Sequence, residues 1–249
     1  MDLVIRRSLK KEFNKFMPSR IAIIPARGGS KRIPNKNIRD FCGKPMIEYV
    51  LNAAKDSGLF KLIHVSTDSD LVANIVSDLG FPVDFMRPIE LSDDYTPIMP
   101  VLKFVLERFA ELGSFYDQVW LLMPCAPNIS ASDLVKAALI LENASPGSSL
   151  VTVSEYPVPI EWAFEKLPTG QLRSLQPGMF AFRSQDIKPS FYDTGTFAAF
   201  NSNIVLNSNG AHSDAEYVGY VLPKGSAIDI DNESDWINAE ALFRAKQAN

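Results

Sequence analysis

Strand and helix patterns alternate along residues 20–145, and this alternation leaves few folds open to the chain. Short apolar runs predict strands at "RIAIIPA", "KLIHVSTD", "PVDFMRP" and "YDQVWLLMP". Apolar residues at helical spacing predict helices at "KPMIEYVLNAAKDSG", "SDLVANIVSDLG", "IMPVLKFVLERFAELG" and "SASDLVKAALILENA". Strands that alternate with helices in this way pair in parallel through crossover helices. The sequence therefore predicts an α/β fold with a doubly wound, mostly parallel sheet.

The pattern changes after about residue 147, where prolines and aromatic residues interrupt scattered strand signals. A strand pattern returns at "YVGYVLPKGSAIDID", and "ESDWINAEALFRAKQ" predicts a closing helix. We expect an extension over residues 1–19 and a single domain over residues 20–249, with a partly antiparallel insertion at about residues 150–200. The insertion is expected to cover a site or to contact a second subunit.

Composition excludes several classes of partner. The net charge of −4 argues against a nucleic-acid or membrane surface, because such surfaces are usually basic. No apolar run approaches the roughly 18 residues of a transmembrane helix. Two cysteines cannot build a disulfide framework, and two histidines exclude a His-rich metal site. We therefore expect a cytoplasmic protein.

The loop "IPARGGSKRIPNKN" follows the first predicted strand, where ligands bind in open α/β sheets. Gly28 and Gly29 allow backbone N–H groups to face an anion, and Ser30 adds a hydroxyl donor. The loop also carries four cations: Arg27, Lys31, Arg32 and Lys36. It matches neither the P-loop pattern nor the dinucleotide G-x-G-x-x-G pattern. The alternative is a solvated basic turn, but the position at a strand end favours a polyphosphate site.

Asp229 and Asp231 form a candidate metal site near the end of the chain. On a predicted strand, side chains at i and i+2 point to the same face, so both carboxylates can meet one cation. Magnesium suits such hard oxygen ligands, and substrate phosphates complete its shell. The alternative is a charged strand end or a cap of the closing helix.

Five segments together resemble the nonulosonic acid cytidylyltransferase family, which includes the CMP-sialic acid synthetases. They are "IAIIPARGGSKRIPNKN", "FCGKPMIEY", "VSTDSD", "FMRPIELSDDYT" and "IDIDNESDW", and they cover the chain from residue 20 onward. Within the family, "RPIELSDDYT", "RSQDIKPSFYDTG" and "APNIS" resemble the pseudaminic acid branch. The resemblance implies a Rossmann-like fold of the nucleotide-diphospho-sugar transferase type, a homodimer, and Mg²⁺. It implies transfer of CMP from CTP to the anomeric hydroxyl of a nine-carbon α-keto acid sugar.

The resemblance also implies roles for single residues. It assigns the nucleotide and its phosphates to Arg27, Ser30, Lys36 and Asn37, places Arg87 near the nucleotide, and makes Asp229 and Asp231 the metal ligands. We expect Arg27 and Lys36 to stabilise the charge that develops on the phosphates. Asp93 and Asp94 in "SDD" are more typical of a helix cap.

The acceptor pocket departs from the neuraminic acid branch at two places. Met123 replaces a glutamine, and Thr194-Gly195-Thr196 replaces Asn-Gly-Ala. A thioether cannot make the hydrogen bonds of an amide, so Met123 is expected to pack against a deoxy or methyl-bearing end of the sugar, or to fill core space. We expect Arg183 to pair with the acceptor's carboxylate. Further candidates for the pocket are Gln185, Asp193 and Phe197.

Three other functions stay open on the sequence alone. The acceptor can be legionaminic or N-acetylneuraminic acid, or the eight-carbon acid Kdo. The chain can also be a sugar-nucleotide-binding protein without turnover. His64, Cys42 and Cys125 are expected to have no catalytic role.

Overall fold

The computed structural model describes residues 18–209, 217–223, 225–226 and 228–247. The predicted extension over residues 1–19 therefore lies outside the described residues, except for Pro18 and Ser19. None of the helices in these ranges is long and apolar enough to cross a membrane.

The described residues build a central six-stranded sheet in the order β10-β6-β9-β5-β1-β4. Its strands are β1 (Arg20–Pro25), β4 (Leu62–Ser66), β5 (Gln118–Leu122), β6 (Ser149–Glu155), β9 (Phe191–Asn201) and β10 (Tyr217–Val221). β1 is parallel to β4 and β5, and β10 is parallel to β6. β9 is antiparallel to both of its neighbours, β5 and β6. The predicted mostly parallel sheet is confirmed.

Helices cover both faces of this sheet. They are α1 (Met46–Ser57), α2 (Asp70–Asp78), α3 (Ile98–Glu111), α4 (Ala131–Glu142), α5 (Ser202–Leu206) and α6 (Glu233–Gln247). Ala22 and Ile24 of β1 pack in one core layer with α1, α2 and α4. Ile21 and Ile23 point to the opposite layer, which holds α3 and α5. This alternation makes the sheet doubly wound, as the sequence predicts.

Two short antiparallel pairs lie outside the central sheet. The first joins β2 (Asp40–Phe41) to β3 (Lys44–Pro45) in the connection before α1. The second joins β7 (Phe164–Lys166) to β8 (Leu172–Ser174). This second pair belongs to residues 156–190, the part of the predicted insertion that runs between β6 and β9 outside the sheet.

The strand predicted at "PVDFMRP" is wrong, since residues 82–88 have no regular structure. Pro82 and Pro88 bracket the segment and have no N–H to donate to a neighbouring strand. The segment is instead fastened beside the edge strand β4, where the Arg87 N–H donates to the Thr67 carbonyl at 2.7 Å.

The segment of Asp229 and Asp231 is also not a strand. Ile230 lies in a third core cluster with Ile33, Phe41 and Trp236. The segment therefore packs against the loop after β1 and against α6, rather than pairing with β10. This packing brings the two aspartates close to the cationic loop.

Candidate active site

A cavity of about 400 Å³ opens at the carboxyl ends of β1 and β5. Five stretches of the chain line it: residues 25–37, residues 87–101, residues 123–129, residues 194–196 and residues 226–231. Ligand sites of open α/β sheets occupy this position. The loop that the sequence predicts to bind phosphate therefore lines the main cavity.

Three cations of this loop are paired with carboxylates across the cavity. Arg27 lies 2.8 Å and Lys31 2.6 Å from the two carboxylate oxygens of Asp94. Arg32 lies 2.5 Å from an oxygen of Asp231. The hydrogen bond from Lys31, with the charges of Lys31 and Arg27, lowers the pKa of Asp94. Three cations of the loop thus contact anionic groups of the protein, the carboxylates of Asp94 and Asp231.

The "SDD" sequence has two roles rather than one. The Asp93 carboxylate accepts from the N–H groups of Tyr95 and Thr96 at 2.9 and 2.6 Å, which makes it the capping residue of the turn before α3. Its neighbour Asp94 does not cap but binds the loop cations. The sequence did not indicate this second role.

The two glycines of the loop differ in their surroundings. The Gly28 N–H donates to the Asp68 carboxylate at 3.0 Å, so the anion that it faces belongs to the protein itself. A Cβ at Gly28 would lie 2.7 Å from the Cβ of Ser69, whereas nothing lies within 4 Å of a Cβ at Gly29. Gly28 is therefore needed for the close approach of two loops. Neither glycine lines the cavity.

Lys36 and Asn37 brace the loop while lining the cavity. The Lys36 ammonium donates to the Ile230 carbonyl at 2.6 Å, which ties the loop to the aspartate segment. The Asn37 amide donates to the Arg27 carbonyl at 3.2 Å and accepts from the Cys125 thiol at 3.4 Å. Burial raises the pKa of Cys125 to about 11. Ser30 also lines the cavity.

Arg87 is a buried cation whose guanidinium lacks hydrogen-bond partners among the described residues at two of its nitrogens. Its exposed fraction is 7%, and its Nε and Nη2 atoms have no hydrogen-bond partner in the described part of the chain. The Asp68 carboxylate lies 3.8 Å from Nη2, outside hydrogen-bonding distance. Burial lowers the pKa of Arg87, and the charge of Asp68 opposes this shift. Sequence reasoning missed Asp68, although its place directly after a strand in "VSTDSD" was a usable signal.

Asp229 and Asp231 both line the cavity. Asp231 is paired with Arg32, whereas the Asp229 carboxylate has no hydrogen bond or ion pair with a described residue. No group of three or more His, Cys, Asp or Glu side chains suited to a metal occurs among the described residues. Two carboxylates fit Mg²⁺, because this ion keeps water ligands and binds substrate phosphates rather than a cage made of protein alone.

The predicted acceptor residues divide into two groups. Met123 lines the cavity and is 37% exposed, so it does not fill core space. Thr194, Gly195 and Thr196 line the cavity too. The other group of four residues, Arg183, Gln185, Asp193 and Phe197, does not line it.

Contacts within the protein explain two of these absences. Phe197 is 2% exposed and stacks on Trp120 in the core. The Asp193 carboxylate accepts from the Gly195 N–H at 2.8 Å. Gly195 has a φ of 59°, and the pairing register of β6 and β9 shifts at this point, so β9 is irregular here. The residues of β9 that line the cavity lie between the two predicted ones and are Thr194, Gly195 and Thr196.

Arg183 and Gln185 lie in the 156–190 insertion. Arg183 is exposed and pairs with Asp186 at 2.7 Å. Gln185 lines a second, more open recess, together with Tyr156 and Ile187. Within one chain, the structure does not bring either residue to the main cavity.

Known proteins resemble this chain in both sequence and fold. The profile of a family described as "Cytidylyltransferase" matches residues 21–113. A pseudaminic acid cytidylyltransferase of Campylobacter jejuni is 33% identical over 90% of this chain and 96% of the relative. A CMP-N,N'-diacetyllegionaminic acid synthase of Legionella pneumophila is 28% identical over 91% and 97% of the two chains. An N-acylneuraminate cytidylyltransferase of Streptococcus agalactiae is 31% identical over 88% of this chain and 52% of the relative.

Solved structures agree at the level of the fold. CMP:2-keto-3-deoxy-manno-octonic acid synthetase complexed with CTP has a TM-score of 0.68 at 18% identity, covering 92% of this chain and 99% of that one. The 4-diphosphocytidyl-2C-methyl-D-erythritol synthase of Anaerococcus prevotii has a TM-score of 0.55 at 16% identity, covering 91% and 99%. By its sequence similarity over most of its length, the chain belongs to the cytidylyltransferase family and is a nucleotidyltransferase of the acylneuraminate cytidylyltransferase type.

Proposed function

We propose that the protein transfers CMP from CTP to the anomeric hydroxyl of a nonulosonic acid, with pseudaminic acid as the preferred acceptor. The anomeric oxygen attacks the α-phosphorus, the bond to the bridging oxygen breaks, and pyrophosphate leaves. The main support is one cavity that is lined both by the cations Arg27, Lys31, Arg32 and Lys36 and by Asp229 and Asp231. This shared lining supports a site for a metal-bound triphosphate.

The cations act on the nucleotide. Negative charge grows on the α-phosphoryl oxygens and on the leaving pyrophosphate during the transfer, and cations that are already in place stabilise it. Arg27 carries a fork of donors, and Lys36 keeps two N–H donors beyond its bond to Ile230. We assign binding of the phosphates to Arg27, Ser30 and Lys36. Arg87 is assigned to the nucleotide, without a particular group of it. Asn37 contributes by orienting the loop through the Arg27 carbonyl.

Asp229 and Asp231 are the proposed ligands of Mg²⁺. When bound, the ion neutralises phosphate charge and orients the triphosphate. The residues of the chain prepare this site: Ile230 anchors the segment in the core, and its carbonyl holds Lys36 beside the two carboxylates.

The preference for pseudaminic acid follows the resemblance of "RPIELSDDYT" and "APNIS" to that branch, and the acceptor side of the cavity supports a 9-deoxy acid over N-acetylneuraminic acid. The relatives include enzymes named for pseudaminic, legionaminic and neuraminic acids, and their identities of 28–33% are too close together to choose among them. Met123 lines the cavity with a thioether and offers no donor to a hydroxylated sugar. A 9-deoxy acceptor suits this surface better than N-acetylneuraminic acid.

The direct test is pyrophosphate release from CTP and Mg²⁺ with four acids in parallel: pseudaminic, legionaminic, N-acetylneuraminic and Kdo. We expect release with nine-carbon acids, with the highest kcat/KM for pseudaminic acid, and none without an acid. Release with Kdo alone would contradict the proposed acceptor class. CTP binding without release for any acid would contradict the proposed reaction.

We also propose that the protein works as a homodimer in which the 156–190 insertion reaches the partner's cavity. The insertion exposes large apolar side chains, among them Phe164, Leu172 and Phe180. A partner's insertion is also a route by which Arg183 can meet the carboxylate of the acceptor. Sedimentation equilibrium is expected to give a dimer for the parent and for Phe115→Asp, and a monomer for Phe180→Asp. Phe115 is the control because it is also exposed, at 70% against 51% for Phe180, but lies outside the insertion. A monomeric parent would refute the proposal.

A further inference from the structure

Three threonine hydroxyls form a hydrogen-bonded chain that starts at the cavity. Thr196 Oγ1 donates to Thr194 Oγ1 at 2.9 Å. Thr194 Oγ1 donates to the Thr152 carbonyl at 3.1 Å. The same Thr194 Oγ1 lies 2.8 Å from Thr152 Oγ1. Thr152 Oγ1 donates to the Phe197 carbonyl at 3.0 Å. A hydroxyl has one proton, and carbonyl oxygens only accept, so all three protons are used inside the protein.

The chain is built into an irregularity of the sheet. The pairing register of β6 and β9 shifts between Val151 and Val153, which leaves Thr152 at the irregular position. The Thr152 side chain is fully buried, and it also accepts from the Phe197 N–H at 3.2 Å. Its hydroxyl thereby satisfies backbone groups that a regular ladder would have paired. The fold therefore fixes Thr152 at the inner end of the hydroxyl chain.

The neighbouring side chains on this wall also offer no hydrogen-bond donor. Met123 has none, and the proline Pro124 has neither a side-chain donor nor an N–H. The Cys125 thiol donates to Asn37. The Met123 N–H is also used, because it donates to the Thr196 carbonyl at 3.0 Å. The wall of Met123, Thr194 and Thr196 thus contrasts with the side of the loop cations, whereas Asn128, which also lines the cavity, keeps one amide N–H beyond its bond to the Ser226 carbonyl.

We propose that the wall of Met123, Thr194 and Thr196 binds a deoxygenated, methyl-bearing end of the acceptor, and that the hydroxyl chain determines this specificity by keeping donors out of the wall. This inference rests on the proposed function, because it assumes that a sugar acid enters the cavity. It adds Thr152, Thr194 and Thr196 to the residues that choose the acceptor. Thr194 and Thr196 form part of the wall, whereas Thr152 acts through them.

The expected size of the preference follows from the cost of burying a sugar hydroxyl whose oxygen receives no hydrogen bond. A hydroxyl at the end of the sugar would donate to Thr196 Oγ1, but its own oxygen would find no donor on this wall. Apolar pockets discriminate against an added hydroxyl by up to about 100-fold. The parent enzyme should therefore prefer a 9-deoxy nonulosonic acid to its 9-hydroxy counterpart by about 10- to 100-fold in kcat/KM.

Two nearly isosteric variants and their combination test the inference. Thr194→Val removes the acceptor of the Thr196 proton, so this proton becomes free to donate into the cavity. We expect the 9-deoxy preference to fall about tenfold. Thr196→Val removes the proton itself, leaves the wall without a donor, and should keep the preference. The double variant should restore the preference lost in Thr194→Val, because no free proton remains.

The measured quantity is the ratio of kcat/KM for the two acids, which general damage to the fold does not shift in a set direction. An unchanged ratio in Thr194→Val would overturn the inference. An equal fall of the ratio in Thr194→Val and Thr196→Val would also overturn it. If the parent turned over neither acid nor any other nonulosonic acid, the proposed function itself would fail, and this subsite with it.

Discussion

Arg87→Met is expected to weaken CTP binding by about 100-fold while leaving the folded protein at least as stable as the parent. Two of the guanidinium nitrogens are buried without a partner, and the nearest carboxylate lies 3.8 Å away. A buried charge with this little compensation costs stability, and a well-packed apolar residue of similar volume is often neutral or stabilising. The parent therefore keeps Arg87 at a cost to its stability, and nucleotide binding is the reason that we propose.

The size of the binding effect comes from the bonds that Arg87 has left to make. A hydrogen bond to a charged group contributes about 1.5–3 kcal/mol. Loss of one such bond to CTP weakens binding by about 10- to 100-fold, and loss of two by about 100-fold or more, at 1.4 kcal/mol per tenfold. Isothermal titration with CTP measures this effect, and denaturant unfolding without nucleotide measures stability.

Arg20 supplies a matched control, because it is also a buried arginine but its partners are in place. Its exposed fraction is 2%, its Nε donates to Gln118 at 2.8 Å, and it pairs with Glu142. Arg20→Met should lower the free energy of unfolding by about 1–3 kcal/mol, because it leaves partners unsatisfied, and should leave the CTP affinity unchanged. The two variants should thus show opposite results. An Arg87→Met protein that lost stability like Arg20→Met and still bound CTP would make Arg87 a structural residue.

Local patterns in the sequence were sufficient for the elements that pack on their own. The apolar run Arg20–Pro25 is a strand, and Ser130 begins α4 with the capping box that its spacing to Asp133 allows. Local patterns failed where pairing decides the structure. Residues 82–88 have a strand-like composition, but prolines at both ends and the edge position of β4 leave them unpaired.

Candidate-site residues that lie close together within a segment were predictable from the pattern of that segment. The loop of residues 24–37 and the pair Asp229 and Asp231 line one cavity, although their segments are about 200 residues apart. Contacts between segments were not predictable, since the pairing of Gly28 with Asp68, or of Lys31 with Asp94, depends on how two loops meet. The residues of β9 that line the cavity were not predicted, because the irregular pairing around Gly195, whose φ is 59°, cannot be read from one sequence.

Asp229→Asn is expected to lower kcat by about 1000-fold and to weaken the binding of the divalent ion, without loss of stability. Removing one preplaced charge partner from a transition state typically costs 10²- to 10³-fold. The Asp229 carboxylate has no partner among the described residues, so an amide of the same shape should change the free energy of unfolding by less than about 0.5 kcal/mol. The expected loss is therefore confined to function.

Metal binding needs its own measurement, because a fall in kcat alone has several explanations. Titration with Mn²⁺ in the presence of CTP, followed by electron paramagnetic resonance, reports the free ion directly. We expect at least tenfold weaker binding in both Asp229→Asn and Asp231→Asn. Glu233→Gln is the control, since this carboxylate lies two residues from Asp231, is exposed, and pairs with Arg39 outside the cavity.

The two aspartate variants should differ in one respect. Asp231→Asn also removes the partner of Arg32, and an exposed pair of this kind contributes about 0–1 kcal/mol. Asp231→Asn is thus expected to lose slightly more stability than Asp229→Asn at the same loss of metal affinity. If Asp229→Asn kept the parent's Mn²⁺ affinity while its kcat fell, the Asp229 carboxylate would act on the acceptor and not on the metal.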